Sequence, residues 1–396
     1  MAKNRIFVTC SRGADAYLEQ EIAVRGFSVL ARTNAGVETA GSMKDAMELI
    51  LHLRTGLRVL FLIGEFAAHD PDALYRKTIA IPWEEFIPVD GYFSITSTVD
   101  TPTIDNSRFA SQKCKDAIAD RFIKKFGKRP DSGPERDRTV IHLHWQGEEC
   151  RVYIDTSGEP LSKRAYRKIP WKAPLQETLA AAIVMATGWR DNSSFVNPMC
   201  GSGTLAIEAA LIGLNRPAAI LRDNFGFMHL KGYQSDVWSA LRSNAKTGAK
   251  SRLSNRIIAT DISNEAIDAA QRNARTAGVE RLIEFSKTDF ADTEIPEGGG
   301  VLVMNPEYGE RMGKSTDLEQ VYGKIGDFLK QKCRGYRGYI FTGNPELAKK
   351  IGLRTNRKMF FYNGPIECRL LEYELYQGSR KKNERCVSAE RMLPAE

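Results

Sequence analysis

From about residue 190 to 345, short apolar runs alternate with helical segments, and this alternation limits the fold more than any other feature of the chain. Residues 194–197, 257–261, 282–286, 300–304 and 338–342 read as strands, and 204–212 and 264–277 as helices. The strands are apolar nearly throughout, as strands covered on both faces are. Strands of that kind joined by helices build a doubly wound, mostly parallel α/β sheet. Ligands of such sheets bind beyond the carboxyl ends of the strands, so the residues that follow each run are the first place to look for chemistry. A helix over 174–186 opens the region, with Pro174 suited to a first helical turn. At the far end, 358–362 and 369–376 flank Asn363-Gly364-Pro365 and read as a hairpin.

Upstream, residues 1–66 follow the order β-α-β-β-α-β, that of a ferredoxin-like α+β unit. Its strands fall at 5–10, 27–31, 37–39 and 57–66, its helices at 15–25 and from Ser42 to 53. Ser42 suits an N-cap, and Met43, Ala46, Met47 and Ile50 follow at helical spacing. A second unit over 67–156 has a helix at 71–79, a strand at 92–98, a long helix at 106–126 and strands at 139–145 and 150–155. Phe109, Ala117, Ile118 and Phe122 are expected on one side of the long helix. The chain thus divides into 1–66, 67–156, 157–380 and a polar tail, 381–396. Its 396 residues suit two or three domains at roughly 100–200 residues each.

Composition closes several alternatives. With 42% hydrophobic and 27% charged residues, the chain is neither disordered nor collagen-like. No stretch approaches the roughly 18–20 unbroken apolar residues that span a bilayer. The first residues lack the apolar core of a secretion signal. The seven cysteines contain no Cys-x-x-Cys pair and are expected to be reduced thiols of a cytoplasmic protein. His142 and His144 alternate onto one strand face with no third ligand nearby in sequence, so no metal is expected.

Fifty-seven Lys and Arg stand against 49 Asp and Glu, a net charge of +8. That excess suits a polyanionic partner such as nucleic acid, and equally a solvated basic surface. Two clusters stand out: Arg121, Lys124, Lys125, Lys128 and Arg129 at the end of the long helix, and Lys163, Arg164, Arg167, Lys168 and Lys172 at the junction near 157–172. The first admits phosphate contact or compensation of the helix dipole.

Four sites carry possible chemistry. Asn197-Pro198-Met199-Cys200-Gly201-Ser202-Gly203-Thr204 joins a strand to a helix, and glycines one residue apart let backbone approach a ligand at a helix N-terminus. It is neither a Walker A loop nor the three-glycine dinucleotide fingerprint. Asp261, at the tip of the next strand, suits a ribose diol, but it lies about 58 residues beyond Gly203, where the dinucleotide fold has about 20. An insertion therefore interrupts the first crossover. Asp289, past another strand, could accept from an adenine amino group. The fourth site is Asn305-Pro306-Glu307-Tyr308-Gly309-Glu310-Arg311, directly after the apolar run 300–304.

This last stretch resembles the Asn-Pro-Pro-Tyr motif of class I S-adenosylmethionine-dependent amino-methyltransferases, and in its longer form their THUMP-containing RNA guanine-N2 branch. Residues 197–208 resemble that branch's Asp-Pro-Met-Cys-Gly-Ser-Gly-Thr loop. Residues 161–167 and the run Ala173-Pro174-Leu175-Gln176-Glu177 resemble the segment leading into its cofactor domain. Asn224-Phe225-Gly226-Phe227 lies in an insertion that the branch also carries. The resemblance covers essentially the whole chain and is nearest to the bacterial large-subunit ribosomal RNA guanine-N2 methyltransferases. It implies a ferredoxin-like domain, a THUMP domain and a Rossmann-like methyltransferase sheet with an antiparallel last strand. It implies S-adenosylmethionine as cofactor, held by Pro174, Glu177, Asn197, Pro198, Cys200, Gly201, Ser202, Gly203, Thr204, Asp261, Ile262, Asp289, Phe290 and Asn305. It implies catalysis by Asn305, Pro306 and Tyr308, and RNA contacts from Lys124, Lys125, Lys128, Arg129, Lys163, Arg164, Arg167 and Lys168.

Two positions depart from the pattern. Asn197 replaces an acid, which keeps a hydrogen-bonding carbonyl and loses a charge, so weaker cofactor binding is expected. Glu307 replaces the second proline, which removes a fixed φ from the catalytic turn. Its side chain either faces away or meets the base. Transfer RNA as substrate, and a catalytically weak RNA-binding assembly factor, stay open beside the ribosomal RNA enzyme. An adenine-N6 DNA methyltransferase would share Asn-Pro-x-Tyr, but the N-terminal half and the Gly-Glu-Arg extension disfavour it.

Overall fold

The computed structural model describes residues 4–104, 106–172, 174–309 and 315–376, with side chains of 315–317 left aside. Ala173, Glu310, Arg311 and the polar tail lie outside the described residues. Two compact units form: one from 1–167, 176–182 and 215–250, the other from 168–175, 183–214 and 251–396.

The first unit begins β1 (Asn4–Cys10), α1 (Asp15–Val24), β2 (Val29–Thr33), β3 (Gly36–Gly41), α2 (Met43–His52) and β4 (Gly56–Ala67). It continues through α3 (Pro71–Ala80), β5 (Tyr92–Asp100), α4 (Ser107–Phe126), β6 (Asp131–Ser132), β7 (Thr139–Gln146) and β8 (Glu149–Asp155). Ser42 caps α2 in a reciprocal box with Asp45, and Ala46, Met47, Leu49 and Ile50 are buried behind it. The two sequence modules share one eight-stranded sheet, ordered β2-β3-β1-β4-β8-β7-β5-β6. Its join is the antiparallel pair β4–β8, with Leu60 opposite Asp155. On α4, the buried positions are Ala110, Cys114, Ala117, Ile118 and Phe122, whereas Phe109 is 44% exposed. Ala117, Ile118 and Phe122 thus lie on the buried side as expected, and Phe109 alone of the four falls outside it, with Ala110 buried in its stead.

The insertion anticipated between Gly203 and Asp261 belongs to this unit. Its helix will be α7 in chain order. The insertion buries Phe225, Phe227 and Trp238 against one another, with ring centroids 5.0–5.4 Å apart. Arg222 donates to the carbonyls of Ser157, Glu159 and Pro160, which ties the insertion to the strand-end segment after β8.

The chain passes between units within α5 (Glu177–Ala186), which starts three residues later than Pro174 suggested. The second unit then holds β9 (Ser194–Pro198) and α6 (Thr204–Gly213). After the insertion's α7 (Ser235–Thr247) come β10 (Ile257–Asp261), α8 (Asn264–Ala277), β11 (Glu284–Lys287) and β12 (Gly300–Met304). It ends α9 (Ser315–Lys332), β13 (Tyr336–Thr342), α10 (Pro345–Lys350), β14 (Arg357–Asn363) and β15 (Ile366–Glu374). Seven strands lie in the order β11-β10-β9-β12-β13-β15-β14. The first five are parallel; β15 runs antiparallel to β13, and β14 pairs with β15 at the edge. Val196, Ile258, Leu302, Met304 and Ile340 pack with Tyr322, Ile325 and Phe328 of α9 in one core. Helices α7, α9 and α10 lie outside a reading of apolar runs: α7 and α10 bury few residues, whereas α9 carries Leu318, Val321, Tyr322, Ile325, Phe328 and Leu329 at helical spacing, a periodic signal without an unbroken apolar run. Among the described residues no helix is long and apolar enough to cross a membrane.

Candidate active site

Strand order places the site. From β9 the chain winds outward to β10 and β11, then returns to the other side for β12 and β13. The switch point lies between β9 and β12, whose carboxyl ends carry the glycine turn and the Asn305 turn, and it is where such sheets bind ligands.

The glycine turn is built from backbone that side chains resist. Met199, Gly201 and Gly203 have φ of 55°, 54° and 80°. A Cβ at Gly203 would lie 2.9 Å from the Cβ of Ala270 on α8, so the residue must be glycine for the turn to pack on that helix. The Gly201 amide donates to Asp261 Oδ2 (2.9 Å) and the Ser263 amide to Oδ1 (3.0 Å), which locks the acid at the tip of β10. Ile262 beside it is 67% exposed. Pro198, Ser202 and Thr204 are buried in the turn. Cys200 is buried as well; burial pushes its thiol far above the ordinary value and Asp261 adds to the shift, which removes it as a nucleophile. Asp289 is exposed and caps the following turn through Ala291 N (2.9 Å). Phe290 is a core residue, edge-on to Phe328 at 5.8 Å, so its side chain is not presented to a ligand.

Asn197 is fully buried, and its Nδ2 donates to the Val303 carbonyl on β12 (2.8 Å). An aspartate could not make that bond. Its Oδ1, and Oδ1 of Asn305, are buried with no hydrogen-bond partner. A buried acceptor left open is costly, and such groups mark places where a ligand supplies the donor.

The Asn305 turn is held from two sides that the sequence did not reveal. Tyr322 on α9 reaches the Glu307 carbonyl (3.3 Å) and Thr342 Oγ1 (2.9 Å). Asn363, at the end of β14, donates to the Tyr308 hydroxyl (3.0 Å). Pro306 is buried and Glu307 is exposed. Asn273 of α8 accepts from Lys168 N and Ile169 N (2.9 and 3.0 Å) and donates to Ser202 O (3.2 Å), which fastens the entry segment to the glycine turn.

Pro174 is half-buried in the second unit, whereas Glu177 is buried in the first with Arg167 Nε 3.4 Å from its carboxylate. Among the basic residues, Lys124, Lys128, Arg129, Lys163 and Lys168 are exposed. Lys163 pairs with Glu159. Lys125 and Arg121 are engaged: Arg121 forks onto Glu84 (2.7 and 2.8 Å) and Lys125 adds a third bond (2.6 Å). Those bonds, Arg121's first, hold the Glu84 carboxyl well below the usual carboxylate range. Arg164 is 1% exposed and donates to the Arg54 carbonyl, which corrects its placement on an RNA-facing surface.

A family model described as an RMKL-like methyltransferase domain matches residues 164–372. The chain belongs to this family. Models of the THUMP domain and of an RlmL ferredoxin-like domain match 68–155 and 5–60. Ribosomal RNA large subunit methyltransferase K/L of Syntrophotalea carbinolica is 38% identical over 381 residues, covering 94% of this chain and 53% of the relative. The chain spans about half the length of the K/L relatives it matches. A putative RNA methyltransferase of Synechocystis is 34% identical, with 93% and 96% of the two chains covered. The solved structure of a putative methyltransferase, SMU.472, complexed with SAH, matches with a TM-score of 0.86 at 26% identity over 96% of this chain and all of that one. The matched span, 164–372, includes both the glycine turn and the Asn305 turn.

Proposed function

We propose that the chain is a cytoplasmic S-adenosylmethionine-dependent RNA methyltransferase that modifies the exocyclic N2 amine of a guanine in large-subunit ribosomal RNA. The observation that carries this reading is the buried, unpartnered Oδ1 of Asn305 in the turn that follows β12. The residues fit the cofactor: a glycine turn at a helix N-terminus, Asp261 for hydroxyl groups, exposed Ile262 for an apolar ring face, and Asp289 for an amino group. When bound, S-adenosylmethionine supplies an electrophilic methyl on a sulfonium.

The guanine amine is a poor nucleophile because its lone pair is delocalised into the ring. Asn305 Oδ1 and the Pro306 carbonyl accept its two hydrogens, draw the nitrogen toward tetrahedral geometry and aim the freed pair. Positioning of this kind is worth up to roughly 7–11 kcal/mol in favourable cases. Tyr308 offers a ring to the extruded base, a contact worth about 1–3 kcal/mol. The proton leaves after the methyl has moved, so no strong base is required.

Labelled-methyl transfer into unmodified ribosomal and transfer RNA, with the nucleosides resolved by mass, tests the reading. N2-methylguanosine in the ribosomal fraction is expected. The same nucleoside in transfer RNA alone would keep the mechanism and change the substrate; no transfer with cofactor binding intact would overturn the enzyme. Asn305→Ala is expected to abolish transfer and spare cofactor affinity.

A further inference from the structure

A cavity of about 330 Å³ opens beside the catalytic turn, lined by Thr342, Gly343, Pro345, Ile366, Glu367 and Arg369. Thr342 ends β13 and Ile366 opens β15, so the cavity lies on the same edge of the sheet as the Asn305 turn. It shares a wall with that turn. A methyl group at Gly343 would meet the ring of Tyr308 and the side chain of Ile366, each at 2.9 Å. None of the six residues takes part in the transfer step described above.

The lining has the chemistry of a base pocket. Pro345 and Ile366 are apolar, and Ile366 is 47% exposed. Glu367 and Arg369 stand 3.5 Å apart, and Tyr362 donates to the other carboxylate oxygen of Glu367 (3.1 Å); the carboxylate accepts and the guanidinium donates, the two functions that a nucleobase edge calls for. Arg369 lies over the ring of Phe360, its cross-strand partner, at 5.3 Å, and Phe360 is itself half exposed. A planar guanidinium stacked on an aromatic ring is a platform on which an unstacked base can lie. The carboxylate of Glu367 argues against a phosphate in the same place.

We propose that this cavity is a second base pocket, which seats the nucleobase of a single-stranded nucleotide neighbouring the methylated guanine, with Phe360 and Arg369 as its stacking platform and Glu367 reading its edge. The inference rests on the RNA methyltransferase reading. It makes the β14–β15 hairpin the element that selects sequence context, while the Asn305 turn performs the transfer.

The test uses the full chain and in vitro transcripts of large-subunit ribosomal RNA. Arg369→Ala and Phe360→Ala are each expected to raise KM for the transcript roughly tenfold, leave kcat at saturation within about twofold and leave cofactor affinity unchanged. Arg369→Lys is expected not to restore KM, because an ammonium lacks the stacking plane. Replacing one neighbour of the target by an abasic nucleotide is expected to raise the wild-type KM equally, with no further penalty from Arg369→Ala. Unchanged KM in both alanine variants, or an additive penalty with every abasic neighbour, overturns the pocket. If the wild type transfers no methyl, the enzyme reading fails by itself. Transcript affinity, weakened in both variants or in neither, then decides the pocket separately.

Discussion

A carboxylate at position 197 would face the Val303 carbonyl, to which Asn197 Nδ2 now donates at 2.8 Å in a fully buried setting. The sequence alone suggested that losing the family's acid would weaken cofactor binding. The structure adds a second role: the amide clamps β9 to β12 two residues before Asn305. Asn197→Asp is therefore expected to destabilise the chain by about 1–3 kcal/mol, read from the urea midpoint, since a buried carbonyl loses its donor. A stable variant with tighter cofactor binding would reinstate the charge-loss reading. Glu307 illustrates the converse, because its exposed side chain asks little of the site. Turnover of Glu307→Ala is expected within about twofold of the unsubstituted chain, well under the factor of ten that 1.4 kcal/mol would bring.

At the scale of elements, α9 and the β14–β15 hairpin hold the catalytic turn. Tyr322 fixes the Glu307 carbonyl and Asn363 fixes the Tyr308 hydroxyl. In a turn without its second proline, these bonds do the work that a fixed φ would otherwise do. Tyr322→Phe is expected to lower kcat about tenfold, because small misplacements of reacting groups are expensive, while cofactor affinity stays unchanged. Glu307→Pro in the same chain is expected to recover part of that loss. Full additivity of the two substitutions would show that the tether and the φ lock are unrelated.

For the whole molecule, burial in the first unit sets an acid limit. His142 is lowered from 6.5 to about 4, mainly by desolvation and then by His144, Arg58 and Arg136. His52 is lowered to about 4 by desolvation, Arg25 and Arg54. A depressed histidine favours the neutral folded form, so its contribution is present above 6.5 and is lost as pH falls from 6.5 toward 4, by up to ~3 kcal/mol for His142. Thermal melts of His142→Gln are expected to show a flatter fall across that window. RNA affinity, which the proposed function requires, is the other property tested on the whole molecule. Lys124→Gln with Lys128→Gln is expected to reduce the salt slope of binding by about 0.7 per lost contact on single strands. Lys125→Gln is expected to change it less, since Lys125 is engaged by Glu84. An unchanged slope in the double variant would remove the end of α4 from the RNA surface.

What the sequence determined by itself was local and periodic. Apolar runs with polar ends gave the parallel strands, Ser42 gave a helix start, and Asn305-Pro306-Glu307-Tyr308 after β12 marked the candidate site. These signals lie within a few residues of the structure they encode. The tertiary structure decided what depends on partners far apart in the chain. Tyr322, Asn363 and Asn273 carry no motif, and each matters only because a carbonyl, a hydroxyl or a glycine turn comes within hydrogen-bond reach. Arg164 reads as an exposed charge until Arg54 meets it, and Lys125, although exposed, reads as a free one until Glu84 engages it. The pairing of β4 with β8 joins two sequence modules into one sheet for the same reason. Periodicity shows which face of an element is apolar, but only packing shows which atoms stand opposite it.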